Sequence, residues 1–326
     1  MVTLFGLFLL TLLVITAVGV VRSKNLFAAV MLLGIFSLLI AAMFFVLDAA
    51  DVALTEAAVG AGISTVLFLG ALALTGARER EPTGSRWLSL AVVTITTAVV
   101  IYATFDKPKL GDPQAPVHVH VAPWYLEQTP EKVDIPNVVT AVLGSFRGFD
   151  TLGEVFVVFT AAIGVLFLLG GPLVRLTEFE RRTRGLRHHL IPRLVGKLLI
   201  PFIILFGLYV QFHGEYGPGG GFQAGALIAA GIILYALIEG ESRALRVIPP
   251  PVLSGLVAGG ALLYGGVGIA AMLRGGSFLD YSVLAADPVK GQQIGIILIE
   301  AGVGITVTGV LLTIFHAFAA HQSRQG

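Results

Sequence analysis

The chain has 326 residues, of which only 13% are charged and 56% are hydrophobic. Soluble domains carry about 25% charged residues, so the composition excludes soluble enzyme folds. The formal net charge of +1 gives no electrostatic footprint for a nucleic acid. The absence of cysteine excludes disulfides, thiol catalysis, and iron–sulfur or zinc–thiolate ligation by this chain.

The apolar residues fall into long runs, each close to the roughly 20 residues that cross the hydrocarbon core as a helix. This pattern predicts an all-α polytopic integral membrane protein with about nine transmembrane helices. The predicted spans are Val2–Val21, Leu26–Leu47, Val52–Thr75, Trp87–Phe105, Leu152–Val174, Ile191–Gln211, Phe222–Ile238, Pro251–Met272 and Ile294–Phe318.

Basic residues collect in alternate loops, with fifteen Lys and Arg on one side of the predicted membrane and six on the other. Positive charge favours the cytoplasmic side. We therefore expect the N-terminus outside, the C-terminus in the cytoplasm, and a multi-pass location in the inner (plasma) membrane. The loop around Arg181, Arg182 and Arg184 is then cytoplasmic, where its charges also contact anionic lipid headgroups.

The polar segments divide the chain into four predicted parts. Residues 1–105 hold four spans, 106–150 form a proline-rich extracytoplasmic loop, 151–190 hold one span and a basic cytoplasmic loop, and 191–326 hold four spans. Because proline lacks a backbone N–H and restricts the residue before it, we expect 106–150 to be extended or turned rather than helical.

Three carboxylates fall inside predicted spans, where an ionised side chain costs roughly 2.5–3.5 kcal/mol at the helix centre. Glu56 and Glu300 lie near the outer ends of the third and ninth spans, and Glu154 begins the fifth. A buried carboxyl group can exchange a proton or bind a desolvated cation. They are therefore ion-path candidates, and the alternative is a hydrated or paired carboxylate at a helix end.

Asp150 and Glu154 are four residues apart and share a helix face, with Arg147 close enough to pair with either. These residues are candidates for the same ion path. The other interpretation is that these acidic and basic side chains pair with one another and have only a structural role.

A glycine-rich motif separates the sixth and seventh predicted spans. It contains Gly217, Pro218, Gly219, Gly220 and Gly221, which cannot continue a helix. Two interpretations stay open: a tight outer loop, or non-helical backbone that lines a wet cavity. In the second case the preceding His213 could titrate near neutral pH and pass protons on.

No cofactor is expected on this chain. The sequence carries no Walker-type or G-x-G-x-x-G phosphate loop. His118 and His120 lack a third ligand for a metal site. The candidate residues therefore include no catalytic or metal-binding group, and we expect a secondary transporter subunit rather than an enzyme.

Four stretches resemble one known family. ADVALTEAAVGAG at 50–62 and PNVVTAVLGSFRGFDTLGE at 136–154, with FRGFDTLGE as its strongest signature, resemble the C-terminal part of the large A subunit of Mrp-type multisubunit Na⁺/H⁺ antiporters, which is also similar to the D and E subunits of membrane-bound hydrogenases. LFGLYVQFHGEYGPGGGF at 205–222 and IEAGVGITV at 299–307 resemble the antiporter B subunit. The resemblance implies a fused A-tail and B subunit.

The resemblance also implies partners and ions. Such a protein acts beside large antiporter-like A and D subunits and small C, E, F and G subunits, in contact with membrane lipid, and exchanges Na⁺ and H⁺. The family places the acidic residue matching Glu56 in a region proposed as part of the ion path. Two alternatives stay open: a membrane subunit of a redox-driven pump of the hydrogenase, ferredoxin or formate type, and a scaffold without an ion path.

Overall fold

The computed structural model describes residues 2–79, 86–109, 111–169, 186 and 189–325. Twelve helices occupy these segments, and an isolated bridge between Asn25 and Arg78 is their only extended pairing. The helices are α1 Val2–Arg22, α2 Leu26–Val46, α3 Ala50–Thr75, α4 Arg86–Thr104, α5 Ala122–Lys132, α6 Val138–Ala141, α7 Gly148–Leu168, α8 Leu190–His213, α9 Gly221–Glu239, α10 Glu241–Val247, α11 Pro250–Leu273 and α12 Pro288–Gln325. Shorter π-helical turns cover Val117–Val121 and Val142–Phe146.

Within the described residues, nine of these helices are long and apolar enough to cross a bilayer. The all-α, polytopic prediction is therefore confirmed. The predicted and observed boundaries differ most in the fifth and ninth spans. Helix α7 begins at Gly148 rather than Leu152, and α12 begins at Pro288 rather than Ile294.

The proline-rich segment is helical over much of its length, so the expectation of extended or turned chain at 106–150 is wrong. Pro116 precedes a π-helical turn, and Pro123 occupies the first turn of α5. The first turn has no intrahelical acceptor for its N–H groups, so proline costs little there. Pro130 lies inside α5, which ends soon after it at Lys132.

Helix α12 is the centre of the bundle, with α9 and α11 packed along it. Glycines permit close backbone contact at both crossings. A Cβ atom added at Gly225 of α9 would lie 2.7 Å from the carbonyl oxygen of Gly304, and one at Gly302 would lie 2.8 Å from that of Gly260. Larger residues at these positions would force the helices apart.

Helix α3 contains a π-helical segment, Glu56–Ile63, between two α-helical halves. Such segments shift the helix faces on either side of them. The first half, Ala50–Thr55, carries Asp51 and Thr55 beside α9. In the second half, Ser64–Thr75, Gly70 packs against Phe318 of α12.

Helices α1, α2 and α4 lie away from this centre. Helix α1 packs along α2, and the Asn25 backbone pairs with Arg78 just after α3. Every residue of α4 is exposed. Its apolar side chains therefore face lipid or another protein. The predicted Arg181, Arg182 and Arg184 loop lies outside the described residues.

Candidate functional site

A cavity of about 570 Å³ lies between α3, α6, α7, α9 and α12 at one end of the bundle. Its polar lining contains three carboxylates, three threonines, one glutamine and the backbone of a glycine turn. These are Asp51, Glu154, Glu300, Thr55, Thr140, Thr151, Gln223, Gly219, Gly220 and Gly221. The remaining wall is mostly valine, and several of the residues at its edge are exposed.

Asn137 joins three parts of this site. Its Nδ2 donates to Asp51 Oδ1 at 3.1 Å and to the carbonyl oxygens of Gly214 and Gly217 at 3.0 and 2.9 Å. Its Oδ1 accepts from Val139 N and so caps α6. One amide therefore positions α3, the glycine turn and the short helix that closes the cavity.

The glycine turn spans residues 214–220 and connects α8 to α9. Thr140 Oγ1 donates to Gly214 O at 2.7 Å, and Gly219 N donates to Asp51 Oδ1 at 3.4 Å. Gly220 has φ 124°, in the region that favours glycine. The motif is therefore a tight turn, and its backbone also lines the cavity.

Glu300 projects from α12 toward this turn. A Cβ atom at Gly214 would lie 3.2 Å from Glu300 Oε2, and one at Gly220 would lie 3.6 Å from Oε1. Glu154 lies across the cavity on α7, where it is exposed at the edge. Among the described residues, no Lys, Arg or His lies within ion-pairing distance of Asp51, Glu154 or Glu300.

Glu215 adds a fourth acidic side chain beside the turn. Burial raises the pKa of this carboxyl group, because desolvation opposes its charged form. Its Oε1 is buried without a hydrogen-bond partner in the described part of the chain. This end of the bundle is therefore acidic and has no compensating cation among the described residues near Glu300.

The structure brings two of the six predicted ion-path residues, Glu154 and Glu300, together at the cavity. Glu56 does not line it. The Glu56 side chain lies over Gly60 on the π-helical segment, close to Ser37 of α2.

Three further candidates also lie outside the cavity wall. Arg147 Nε donates to Asp150 Oδ2 at 2.6 Å in an exposed ion pair. His213 stacks against Tyr209 and Tyr216, with ring centroids at 4.8 and 6.4 Å.

Sequence reasoning missed Asp51, Thr55, Asn137 and Gln223. Asp51 is in the same stretch as Glu56, but it lies at the polar edge of the span, where a carboxylate is ordinary. Gln223 Nε2 donates to Thr55 Oγ1 at 2.7 Å, across 168 residues of sequence. A polar residue every four positions on α3, at 51 and 55, is the signal that could have indicated this face.

The cavity has the chemistry of a site for a proton or a small hard cation. Carboxylate, hydroxyl and carbonyl oxygens replace the hydration shell of such ions. Three carboxylates that line one cavity, without a paired cation among the described residues, repel one another when all are charged, so the binding of cations or protons is favoured. The arrangement therefore favours occupancy that alternates between cations and protons.

The opposite end of the bundle carries basic residues. Glu239 is buried at the end of α9 and pairs with Lys197 Nζ at 2.7 Å, Arg193 Nε at 3.3 Å and Arg243. We call this end, with Arg22, Arg78, Arg193, Lys197 and Arg243, the basic end. It lies one bundle length away from the cavity.

Three protein families match the chain in sequence. A domain related to the MnhB subunit of Na⁺/H⁺ antiporters matches residues 191–313. MbhD, the D subunit of MBH, matches 11–77, and MbhE, the E subunit of MBH, matches 85–172. Together these matches follow the chain in the order that the sequence resemblance implies.

Individual relatives of the chain are described as antiporter subunits. The chain is 28% identical over 335 aligned residues to the probable A/B subunit of a K⁺/H⁺ antiporter from Rhizobium meliloti (strain 1021), covering 91% of this chain and 32% of that protein. It is 32% identical over 134 residues to the putative antiporter subunit mnhB2 of Staphylococcus haemolyticus, covering 40% of this chain and 94% of that protein.

The structure of the Mrp complex from Dietzia sp. DQ12-45-1b contains a similar chain, with a TM-score of 0.73 and 26% identity. The match covers 95% of this chain and 34% of that one. The chain thus spans about a third of two of its long relatives and nearly all of a short one. This chain and the matched chain of the Mrp complex therefore share their fold.

Proposed function

Since the chain belongs to the family of the MnhB subunit of Na⁺/H⁺ antiporters, with MbhD and MbhE domains ahead of its MnhB domain, we propose that it is one subunit of a multisubunit sodium/proton antiporter. The observation that carries this proposal is the cavity of Asp51, Glu154 and Glu300. Carboxylates without a paired cation inside a membrane bundle mark ion pathways.

Sodium and protons compete for these carboxylates in the proposed mechanism. An incoming Na⁺ binds carboxylate, hydroxyl and glycine carbonyl oxygens and displaces a proton, and protonation in turn releases the cation. Inward protons drive outward sodium movement with about 2.3 kcal/mol per charge per 100 mV. Glu56, on the π-helical segment beside α2, extends the ion path in this proposal.

The remaining surface fits membership of a larger complex. The exposed apolar helix α4 and the exposed face of α1 supply contact surfaces for large A- and D-like subunits and small C-, E-, F- and G-like subunits. We place the basic end in the cytoplasm and the cavity at the outer face, because positive charge favours the cytoplasmic side.

The test is sodium-dependent proton flux in everted vesicles from cells that express all subunits. We expect Glu300→Gln to abolish most of the flux per assembled complex, because an amide neither ionises nor exchanges a proton. Glu131→Gln is the matched control, since this carboxylate is exposed on α5 and lies outside the cavity. Wild-type flux in Glu300→Gln, Asp51→Asn and Glu154→Gln alike would refute the ion path.

The MbhD and MbhE matches favour one second candidate, a membrane subunit of a redox-driven ion pump. Purification in mild detergent separates the two functions. Co-purifying iron–sulfur subunits, detected by visible absorption, would support the redox complex. Antiporter-like partners alone would support the first proposal. A scaffold without an ion path predicts reduced assembly of the cavity variants with unchanged flux per assembled complex.

A further inference from the structure

A buried acid–imidazole pair lies at the basic end, away from the cavity. Glu241 begins α10 directly after Gly240, whose φ of 92° turns the chain. His316 lies on the last part of α12, and its Nδ1 is 3.1 Å from Glu241 Oε1. The His316 and Glu241 side chains are 2% and 5% exposed. A titratable pair at this depth needs an explanation beyond packing.

The pair is too far from the cavity to belong to it. His316 follows Glu300 by sixteen residues on the same helix, which corresponds to about 24 Å at 1.5 Å per residue. Buried threonines lie between them. Thr308 Oγ1 donates to Gly225 O at 3.1 Å, whereas Thr313 Oγ1 has no hydrogen-bond partner among the described residues.

The elements packed around the pair leave it as a separate unit. Helix α11 and residues Ser64–Thr75 of α3 carry no charged side chain. The charged and titratable groups that the surrounding helices carry at the basic end are Glu239 on α9, Arg193 and Lys197 on α8, Arg243 and Arg246 on α10, and His321 on α12. Glu239 is neutralised by three of these cations, so its carboxylate cannot substitute for Glu241.

A single proton shared by the two groups would give the pair zero net charge, whether it resides on Glu241 Oε1 or on the ring of His316. Burial raises the pKa of Glu241, and its contact with His316 partly opposes this shift. An imidazole group can gain or lose a proton between about pH 5 and 8, and Glu241 lies at the start of the short helix that connects α9 to α11.

We propose that the Glu241–His316 pair is a proton-exchange site at the basic end of the bundle, through which the complex takes up or releases protons during transport. The proposal rests on the antiporter function stated above. The proton moves between His316 Nδ1 and Glu241 Oε1 and leaves to bulk water, so no further reactant is needed. The chain then has two titratable sites, one at each end of α12.

The test measures flux per assembled complex across about pH 6 to 8 in everted vesicles with all subunits present. Glu241→Gln and His316→Gln are expected to lose the wild-type pH dependence in this window while the complex still assembles. Glu239→Gln makes the same chemical change two residues away. It is expected to lower assembly and thermal stability, with an unchanged pH profile in the complexes that do form.

A structural role for the pair predicts the opposite result. Wild-type pH dependence in assembled Glu241→Gln or His316→Gln complexes would overturn the proposal. If neither glutamine variant assembles, Glu241→Asp decides the question, because it keeps the acid but withdraws it from His316 Nδ1. A shifted pH profile in that variant supports the site, and an unshifted profile overturns it.

The two proposals can fail separately. If all the cavity variants keep wild-type flux while the Glu241 variants have an altered pH profile, only the proposal for the cavity is refuted. If Glu300→Gln loses flux while the Glu241 and His316 variants keep the wild-type pH profile, only the proposal for the Glu241–His316 pair is refuted.

Discussion

Asn137 connects more elements of the candidate site than any carboxylate does. It caps α6, donates to Asp51 and holds two carbonyl oxygens of the glycine turn. Nothing in the sequence around position 137 indicates this role, because its partners lie more than 70 residues away. Only its role as the N-cap of α6 can be predicted from the local sequence, because asparagine is a favoured N-cap residue.

Asn137→Ala should destabilise the assembled complex by about 1–3 kcal/mol, because the cap is lost and one buried and one half-buried carbonyl group lose a donor. Flux should fall too, since Asp51 and the turn are no longer held together. The thermal midpoint of the purified complex and vesicle flux measure the two effects.

Asn25→Ala is the matched control for this change. Asn25 caps α2 through Phe27 N and Ala28 N and lies far from the cavity. This substitution should lower the stability of the complex by about 1 kcal/mol, through the loss of one helix cap. It should leave flux per assembled complex unchanged. Equal effects of both variants on flux would contradict the positioning role of Asn137.

At the scale of elements, hydropathy predicted the spans well because each one is a local run of apolar residues. In the proline-rich segment, the position of each proline decides whether a helix forms, and the number of prolines does not. Pro116 and Pro123 lie where a helix begins, and a first turn accepts proline. Hydropathy does not indicate the π-helical segment of α3, although Gly60 and Gly62 lie within it.

The crossing of α9 and α12 gives a test of packing. Gly225→Ala should destabilise the complex by about 1–3 kcal/mol, because its Cβ atom would press on the carbonyl oxygen of Gly304. Gly259→Ala on α11 is the control, since a Cβ atom there meets nothing within 4 Å. Thermal unfolding in detergent compares the two; equal midpoints would contradict the packing described for α9.

At the scale of the whole molecule, the cavity could not be predicted from sequence. Its walls come from five helices, and the Asp51–Gly219 contact joins positions 168 residues apart. Sequence patterns describe one helix at a time. They indicate Glu154 and Glu300 as separate candidates, but they do not indicate that both side chains line the same cavity. The division at 1–105, 106–150, 151–190 and 191–326 stays a prediction, and the MnhB match beginning at residue 191 supports its last boundary.

The orientation of the bundle is testable because the chain has no cysteine. In intact cells, Ser277→Cys should react with a membrane-impermeant maleimide, whereas Lys24→Cys should react only after the membrane is opened. Both positions are in connections between spans. The reverse pattern would place the basic end outside and invert the proposed direction of both titratable sites.

The π-helical segment of α3 fixes the register between the two α-helical halves of this helix. A π-helical turn holds about one residue more than an α-helical turn, and each residue corresponds to about 100° of rotation. If Glu56–Ile63 became α-helical at unchanged length, Asp51 and Thr55 would rotate off the cavity while Gly70 stayed against Phe318. A one-residue deletion within 56–63 should instead keep Asp51 and Thr55 at the cavity, because the residue removed is the surplus one.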